Sequence, residues 1–320
     1  MQSTLRNLGM SAWLLAGALA STVCAAAPDV VKVIVPFAAG GPADQIARIV
    51  QPALSTVLGK PVIIDNRGGV GGTLGANFVA KAPPDGGTIL LSTSSLVLSA
   101  GTTPHLPYDA RKDLLPVYIL GEVQSMIAVR PTLGVSNLEE LNAKARSTKL
   151  NYGSTGVGGT MHVGAELYSK TAKAPMVHIP YRGIAPALTD AMGGQTQAVF
   201  PGLAAALQHI RSGRMRALAV TGPVRAAQLK DVPTLDELGL KNFDAVQWYG
   251  VVGPAGIPPA VVQKLNETLN GVLNVPDMKE KLAGEAVEPL PMSAGDFGAY
   301  IQRDVARWTR LAKAQNIQLD

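Results

Sequence analysis

Apolar and polar positions along this chain switch between two periods, and the switch recurs from end to end. Val31 to Val35 is a short, β-branched run that reads as a buried strand. The small-residue stretch Pro36-Phe37-Ala38-Ala39-Gly40-Gly41 follows it. From Pro42 onward Ile46, Ile49, Val50, Ala53, Leu54, Val57 and Leu58 recur at helical spacing, so one face of a helix is predicted to be buried. Pro42 suits a first helical position, and Asp44 places a negative charge in the first turn. Gly40 and Gly41 allow a tight turn. Such a unit exposes backbone N–H groups at a helix N-terminus, at the carboxyl end of a strand. Open α/β sheets bind ligands at that edge, and anions bind there most readily. Many strand–glycine–helix turns are purely structural, so the unit by itself assigns nothing.

The pattern then repeats. Val62 to Asp65 leads into Asn66-Arg67-Gly68-Gly69-Val70-Gly71-Gly72 and a helix over about 73–82, and Thr88 to Leu91 runs into Ser92-Thr93-Ser94-Ser95. Strands alternating with helices predict a parallel sheet with right-handed crossovers, its carboxyl ends sharing one edge. The loop at 68–72 lacks the full G-x-G-x-x-G, because Leu74 stands where a third glycine belongs, which argues against a dinucleotide cofactor. Two strand-like segments between Leu115 and Val129, joined without a helix, read as a crossing into a second domain. After a helix at 136–147, Leu150 to Ser154 opens a glycine and hydroxyl loop, Ser154-Thr155-Gly156-Val157-Gly158-Gly159-Thr160, that leads into a helix carrying His162. Val177 to Gly183 with a helix at 185–192, and Ala198 to Gly202 with a helix at 203–211, repeat the unit, and Arg216 to Val220 adds a strand. Val246 to Pro254 is a second candidate crossing. The remainder reads as helices, starting at Pro258-Pro259 and running over about 294–315 with Phe297, Tyr300, Ile301, Val305, Trp308 and Leu311 on the buried side. These helices are expected to pack on the first domain, which is then discontinuous: 27–124 plus 247–320 form one lobe and 125–246 the other. Two lobes joined by two crossings make a cleft that closes by hinge motion.

Residues 1–26 stand apart. Arg6, the apolar stretch from Leu8 to Ala20 and the small residues around Cys24 read as a secretory signal peptide, which implies a periplasmic protein. Cys24 is the chain's only cysteine, so the mature domain has no disulfide and depends on its packed core. Arg6 is the one charge in that segment, which leaves 27 of the 28 basic residues against 23 acidic ones. No basic run is interleaved with aromatics, so nucleic acid is not an expected partner. A mildly positive surface suits an anionic ligand.

These residues, taken in order, resemble the Bug or TctC family, the periplasmic solute-binding proteins of tripartite tricarboxylate transporters. The likeness rests on the stretches 35–44, 65–72, 84–86, 106–109, 151–154 through His162, 179–183, 186–190 and 218–221. It implies a type II periplasmic-binding fold, two α/β lobes with a hinge and central cleft, acting as a monomer without cofactor or metal. It also implies capture of a small organic anion and delivery to the membrane subunits of a transporter. In the family the loops at 37–41 and 154–160 act as two pincers on a ligand carboxylate, largely through backbone groups and ordered water. Two departures stand out: Ala38-Ala39 where prolines are frequent, and Phe200-Pro201-Gly202 where an aspartate commonly follows the aromatic.

The candidate ligand-binding residues are therefore Phe37, Ala38, Ala39, Gly40 and Gly41, with Asp44 as a contact or a helix cap. Hydroxyls of Thr93, Ser94, Ser154, Thr155 and Thr160 join them, along with Gly156 and His162 of the second loop. Tyr181, Arg182 and Gly183 form a third loop, in which Arg182 would pair with a carboxylate or bridge the lobes. Pro201 and Gly202 offer no charge to a ligand ammonium, which points to a carboxylate without a cationic group. Two other readings are open: a periplasmic sensor for a signalling partner, and a secreted hydrolase with Ser154 as nucleophile and His162 as its base. The second lacks an evident third orienting acid.

Overall fold

The computed structural model describes residues 28–103, 105–241, 243 and 246–314, so the expected signal segment and Gln315 lie outside the described residues. In chain order the elements are β1 (Val31–Val35), α1 (Pro42–Leu58), β2 (Val62–Asn66), α2 (Thr73–Ala80), β3 (Thr88–Thr93), α3 (Ser95–Thr102), β4 (Leu114–Val123) and β5 (Met126–Val129). Then come α4 (Leu138–Ser147), β6 (Leu150–Ser154), α5 (Thr160–Thr171), β7 (Met176–Pro180), α6 (Ile184–Gly193), β8 (Ala198–Val199), α7 (Leu203–Arg211) and β9 (Arg216–Val220). The chain closes with β10 (Gln247–Pro254), α8 (Pro259–Leu273), α9 (Pro276–Gly284) and α10 (Ala294–Ala314).

Two five-stranded sheets organise these elements, in the orders β2-β1-β3-β10-β4 and β7-β6-β8-β5-β9. The first three strands are parallel, as their alternation with helices predicts. β10 enters between β3 and β4 and runs antiparallel to both. In the second sheet β8 is parallel to β6 but antiparallel to β5, and β9 is antiparallel to β5. Each sheet is thus a parallel core with antiparallel strands added where the chain crosses over. Only Gln124 and Ser125 separate β4 from β5. That crossing is held by backbone bonds to the second sheet: Leu203 N–H to Gln124 O (2.8 Å), Met126 N–H to Pro201 O (2.9 Å) and Thr221 N–H to Ser125 O (2.9 Å).

Two helices are given no bounds by the sequence pattern. α3 contains Leu96, Val97 and Leu98, all buried, and a helix buried all round carries no 3.6-residue stripe to detect. α9 is a short helix begun at Pro276, with only Met278 and Leu282 buried.

β10 is the strand that ties the C-terminal helices to the first sheet. All eight of its residues are buried, and Trp248 meets Phe297 of α10 edge to face at 5.4 Å and Tyr300 at 6.5 Å. Its indole Nε1–H donates to Asp304 Oδ2 at 3.3 Å, which satisfies the one polar atom the ring takes inside. Trp248 is therefore a core residue of the first lobe. Trp248→Ala should destabilise the protein by about 3–5 kcal/mol in urea unfolding, the usual cost of emptying a large aromatic site. A loss under about 1 kcal/mol would mean the α10 contact contributes little.

Candidate functional site

The carboxyl ends of β1, β3 and β6 converge where the two lobes touch. After β1 the chain turns through Phe37 to Gly41. Gly40 has φ of +80°, the left-handed region that favours glycine, and its Cα faces open space. Ala38, Ala39 and Gly40 are exposed, and the N–H groups of Ala38 and Ala39 have no acceptor among the described residues. Asp44, buried in the first turn of α1, shapes this loop from within. Its Oδ2 accepts from Gly40 N–H (2.9 Å) and Arg48 Nε (2.9 Å), and its Oδ1 accepts from Asn66 Nδ2 (3.0 Å). Burial pushes the Asp44 carboxyl up, yet the bonds from Arg48, Gly40 and Asn66 outweigh it and hold it below the usual carboxylate range. Asn66 also donates to Phe37 O (3.2 Å), so the end of β2 props the loop.

The glycine stretch after β2 joins three of these segments. A Cβ on Gly72 would lie 3.4 Å from Ser95 Oγ and 3.5 Å from Phe37 Cζ. One on Gly68 would lie 3.2 Å from Ala38 N. One on Gly71, whose φ is +61°, would lie 2.6 Å from Val157 O and 3.0 Å from Gly159 N, across the gap between the lobes. Ser94 and Thr160 meet across the same gap, their hydroxyl oxygens 3.2 Å apart. The structure therefore brings together 37–41, Ser94, Thr160 and the loop 155–159, with 68–72 as their hub. The hub carries no reactive group. Its signal in the sequence was the run Gly68-Gly69-Val70-Gly71-Gly72, which meant close backbone approach and not a phosphate cradle.

Other candidates are engaged locally. Thr93 lies within β3, and its Oγ1 is paired with Ser95 Oγ at 2.9 Å. Tyr181 sends its hydroxyl to Asp190 Oδ2 (2.7 Å), and burial together with that carboxylate pushes the phenol up to about 12. Arg182 is exposed, and Gly183 caps α6. Pro201 and Gly202 sit at the crossing: Pro201 O takes the Met126 amide, and a Cβ on Gly202 would lie 3.5 Å from Gln247 Oε1.

The second loop differs from expectation in its histidines. Ser154 is fully buried, and its Oγ lies 2.6 Å from Nε2 of His178, not beside His162. His162 instead accepts Gly158 N–H at Nδ1 (3.3 Å) and stacks on His178, with centroids 3.7 Å apart. The pairing with His178 was invisible in sequence because it depends on β7 lying alongside β6. Burial lowers His162 to about 3, with His178 adding to the effect, and burial lowers His178 to about 4. Among the described residues no group of three or more His, Cys, Asp or Glu is gathered to hold a metal ion.

Chemically, the seam offers unpaired backbone donors, hydroxyls and helix N-termini from both lobes, with the nearest carboxylate already neutralised. Each helix terminus favours an anion by about 0.3–1 kcal/mol when exposed and up to roughly 2 when partly buried.

Residues 46–317 match the family described as the tripartite tricarboxylate transporter family receptor, TctC. The chain is 34% identical to the protein BugT of Bordetella pertussis over 293 residues, covering 90% of each chain. A solved structure described as Rhodopseudomonas palustris Rpa4515 with adipate superposes with a TM-score of 0.86 at 31% identity, covering 91% of this chain and 99% of that one. MatC of the same organism, with bound malate, gives 0.84 at 30% identity, covering 88% and 98%.

Two outcomes follow from the geometry. Gly71→Asn, whose side chain tolerates a positive φ, should leave the fold intact but hold the lobes apart, because its side chain would strike the Val157 carbonyl. Small-angle scattering should then show a larger radius of gyration than the parent under conditions that close it, and an equal radius would remove Gly71 from the closure contact. The histidines set a pH dependence. In the unfolded chain each titrates near 6.5, whereas the folded rings refuse the proton until about pH 4 and about pH 3. The unfolded state therefore binds more protons below about pH 6.5, and stability falls as pH falls. Two such groups give a slope approaching 2.7 kcal/mol per pH unit around pH 5. Urea midpoints at pH 7 and pH 5 should show this loss, and should show less of it in a His162→Asn/His178→Gln protein.

Proposed function

The chain belongs to the tripartite tricarboxylate transporter receptor family, and from that premise we propose that it captures a small carboxylate between its two lobes in the periplasm and delivers it to the membrane subunits of a transporter. The observation that carries the reading is the convergence of strand-end loops from both sheets at the Gly71–Val157 seam, with Ser94 and Thr160 facing each other across it. The adipate and malate bound by two structural relatives support the ligand class. Sheet membership supports lobe boundaries at 27–124 plus 247–320 and at 125–246. The loop 37–41 grips from the first lobe through the amides of Ala38 and Ala39. Asp44 acts by holding that loop in shape. From the second lobe Thr155 and Thr160 contribute, with Gly156, at φ of +120°, turning the chain between them. Tyr181 to Gly183 flank them, with Arg182 an exposed charge beside them.

The ligand in this reading lacks a cationic group. Pro201-Gly202 presents no charge, and the two acids that could replace one there are occupied. Asp44 is bonded to Gly40, Arg48 and Asn66, and Glu122 Oε1 accepts from Tyr300 Oη at 3.0 Å. An ammonium buried at this seam would go unpaired, at a cost of several kcal/mol. Ser154 supports binding over hydrolysis, because its hydroxyl is buried within the loop it stabilises.

Mass spectrometry of small molecules released on denaturing the purified protein tests the class directly, and a carboxylate is expected. Thermal-shift comparison of succinate with aspartate, and of adipate with lysine, should favour the members without an amino group. Greater stabilisation by aspartate would overturn that part. Gly40→Val should weaken binding of the best of these acids at least tenfold in calorimetry, since φ of +80° is strained for valine and its side chain fills the open space before the loop. Native affinity in a folded variant would remove the loop from the site.

A further inference from the structure

Beneath the second loop His178 of β7 and His162 of α5 lie face to face, with 12° between their planes. Tyr152 of β6 lies beside the pair, 5.2 Å from His178 and 6.4 Å from His162, and Phe200 meets Tyr152 edge-on at 5.7 Å. Both imidazoles are hydrogen-bonded to the loop. The Gly158 amide can only donate, so the Nδ1 it meets on His162 carries no proton and Nε2 carries it. Ser154 Oγ accepts from Gly156 N–H at 3.1 Å and has one proton to give. It can go to His178 Nε2 at 2.6 Å, or to the Gly156 carbonyl at 3.2 Å while His178 Nε2–H donates to Ser154 Oγ. In the first arrangement His178 carries its proton on Nδ1, and the two stacked rings hold opposite tautomers.

We infer that His162 and His178 are positioning residues for the second gripping loop, fixing through Gly158 and Ser154 which of its amides remain free for an anion. The inference rests on the reading of that loop as a carboxylate grip. The ring pair draws Gly158 and, through Ser154, Gly156 inward. The intervening donors, the amides of Thr155 and Val157, have no acceptor among the described residues. Inward and free amides thus alternate along the loop. Burial keeps both rings neutral, which is the only state in which both accept. The titratable groups packed around them are spent on other partners: Tyr152 Oη donates to Glu166 of α5 (2.7 Å), and Tyr181 Oη to Asp190 of α6 (2.7 Å), while Arg182 beyond β7 is exposed. The rings are not equivalent toward a proton. On His178 it is tolerated, because Ser154 can turn its hydroxyl to the Gly156 carbonyl. On His162 it sets one donor against the Gly158 amide and frees the loop.

Long-range proton–nitrogen spectra of the full chain with labelled histidine test the tautomers, and the chain has only four histidines to assign. Nε2–H is expected on His162 and Nδ1–H on His178, both neutral at pH 5.5. The reverse tautomer on either ring, or a charged ring, overturns the inference. Amide exchange, corrected for intrinsic rates, supplies the functional arm. His178→Phe keeps the stacked ring but removes the acceptor, and should speed exchange at Gly156 at least tenfold and weaken adipate, used as the probe, by a similar factor. His178→Gln restores an acceptor and should recover most of both effects. Equal behaviour of Phe and Gln would reduce His178 to packing and overturn the positioning role. His162→Asn should keep Gly158 protected down to pH 3, where the parent loses protection; parallel pH profiles would overturn the role of His162. Tautomers and exchange need no ligand, so they fail or succeed separately from the carboxylate reading, which the adipate arm alone shares.

Discussion

Everything in this molecule turns on how closely two backbones approach where its lobes meet. The Gly71 position lies against the carbonyl of Val157, at a distance that leaves no room for a side chain on the first lobe's side. Backbone amides are short-range donors, so an anion held by amides from both lobes needs those lobes within a few ångströms of each other. Side chains longer than glycine at the seam would hold the donors apart and leave the anion solvated. The high glycine count of the chain, 34, acquires a purpose here, since glycines line both walls of the gap.

A carboxylate beside the proposed anion site looks like a contradiction, and Asp44 shows how it is resolved. Its charge is spent on Arg48, Gly40 and Asn66, all on its own lobe, so it reaches the seam as loop curvature and not as a field. The residual electrostatics are then those of the helix N-terminus and the unpaired amides, which favour negative charge. The second loop obtains the same result without any ion. Two buried, neutral imidazoles hydrogen-bond its inward-facing groups, His162 accepting the Gly158 amide and His178 meeting the Ser154 hydroxyl.

The legible part of this protein was what its local pattern encodes. Val31 to Val35, Pro42 and Asp44 placed the first strand, turn and helix, and the structure finds them there. The glycine loops were legible because only glycine turns so tightly between a strand and a helix. Illegible were the features settled by tertiary neighbours. The antiparallel entry of β10 between β3 and β4 leaves no mark on its own residues, which are uniformly buried. α3 hid for the same reason. Ser154 and His162 looked like a pair because they are close in sequence, whereas the ring that touches Ser154 comes from the next strand of the sheet.

The hinge tells against treating Phe200-Pro201-Gly202 as a mere loss of charge. Proline cannot donate a backbone hydrogen bond, but its carbonyl can accept, and Pro201 O takes the amide of Met126 just past the crossing. Gly202 leaves the approach of Gln247 open on the other crossing. The tripeptide therefore sits between both connections of the two lobes, where rigidity and close fit count for more than a formal charge. An aspartate at Pro201 would have to bury a carboxylate beside the crossing unless a cation came in with the ligand. Neutral residues at the hinge and the proposed ligand without an ammonium group are two expressions of one constraint: in that reading the charge to be held enters with the solute's carboxylate, and the chain meets it with dipoles.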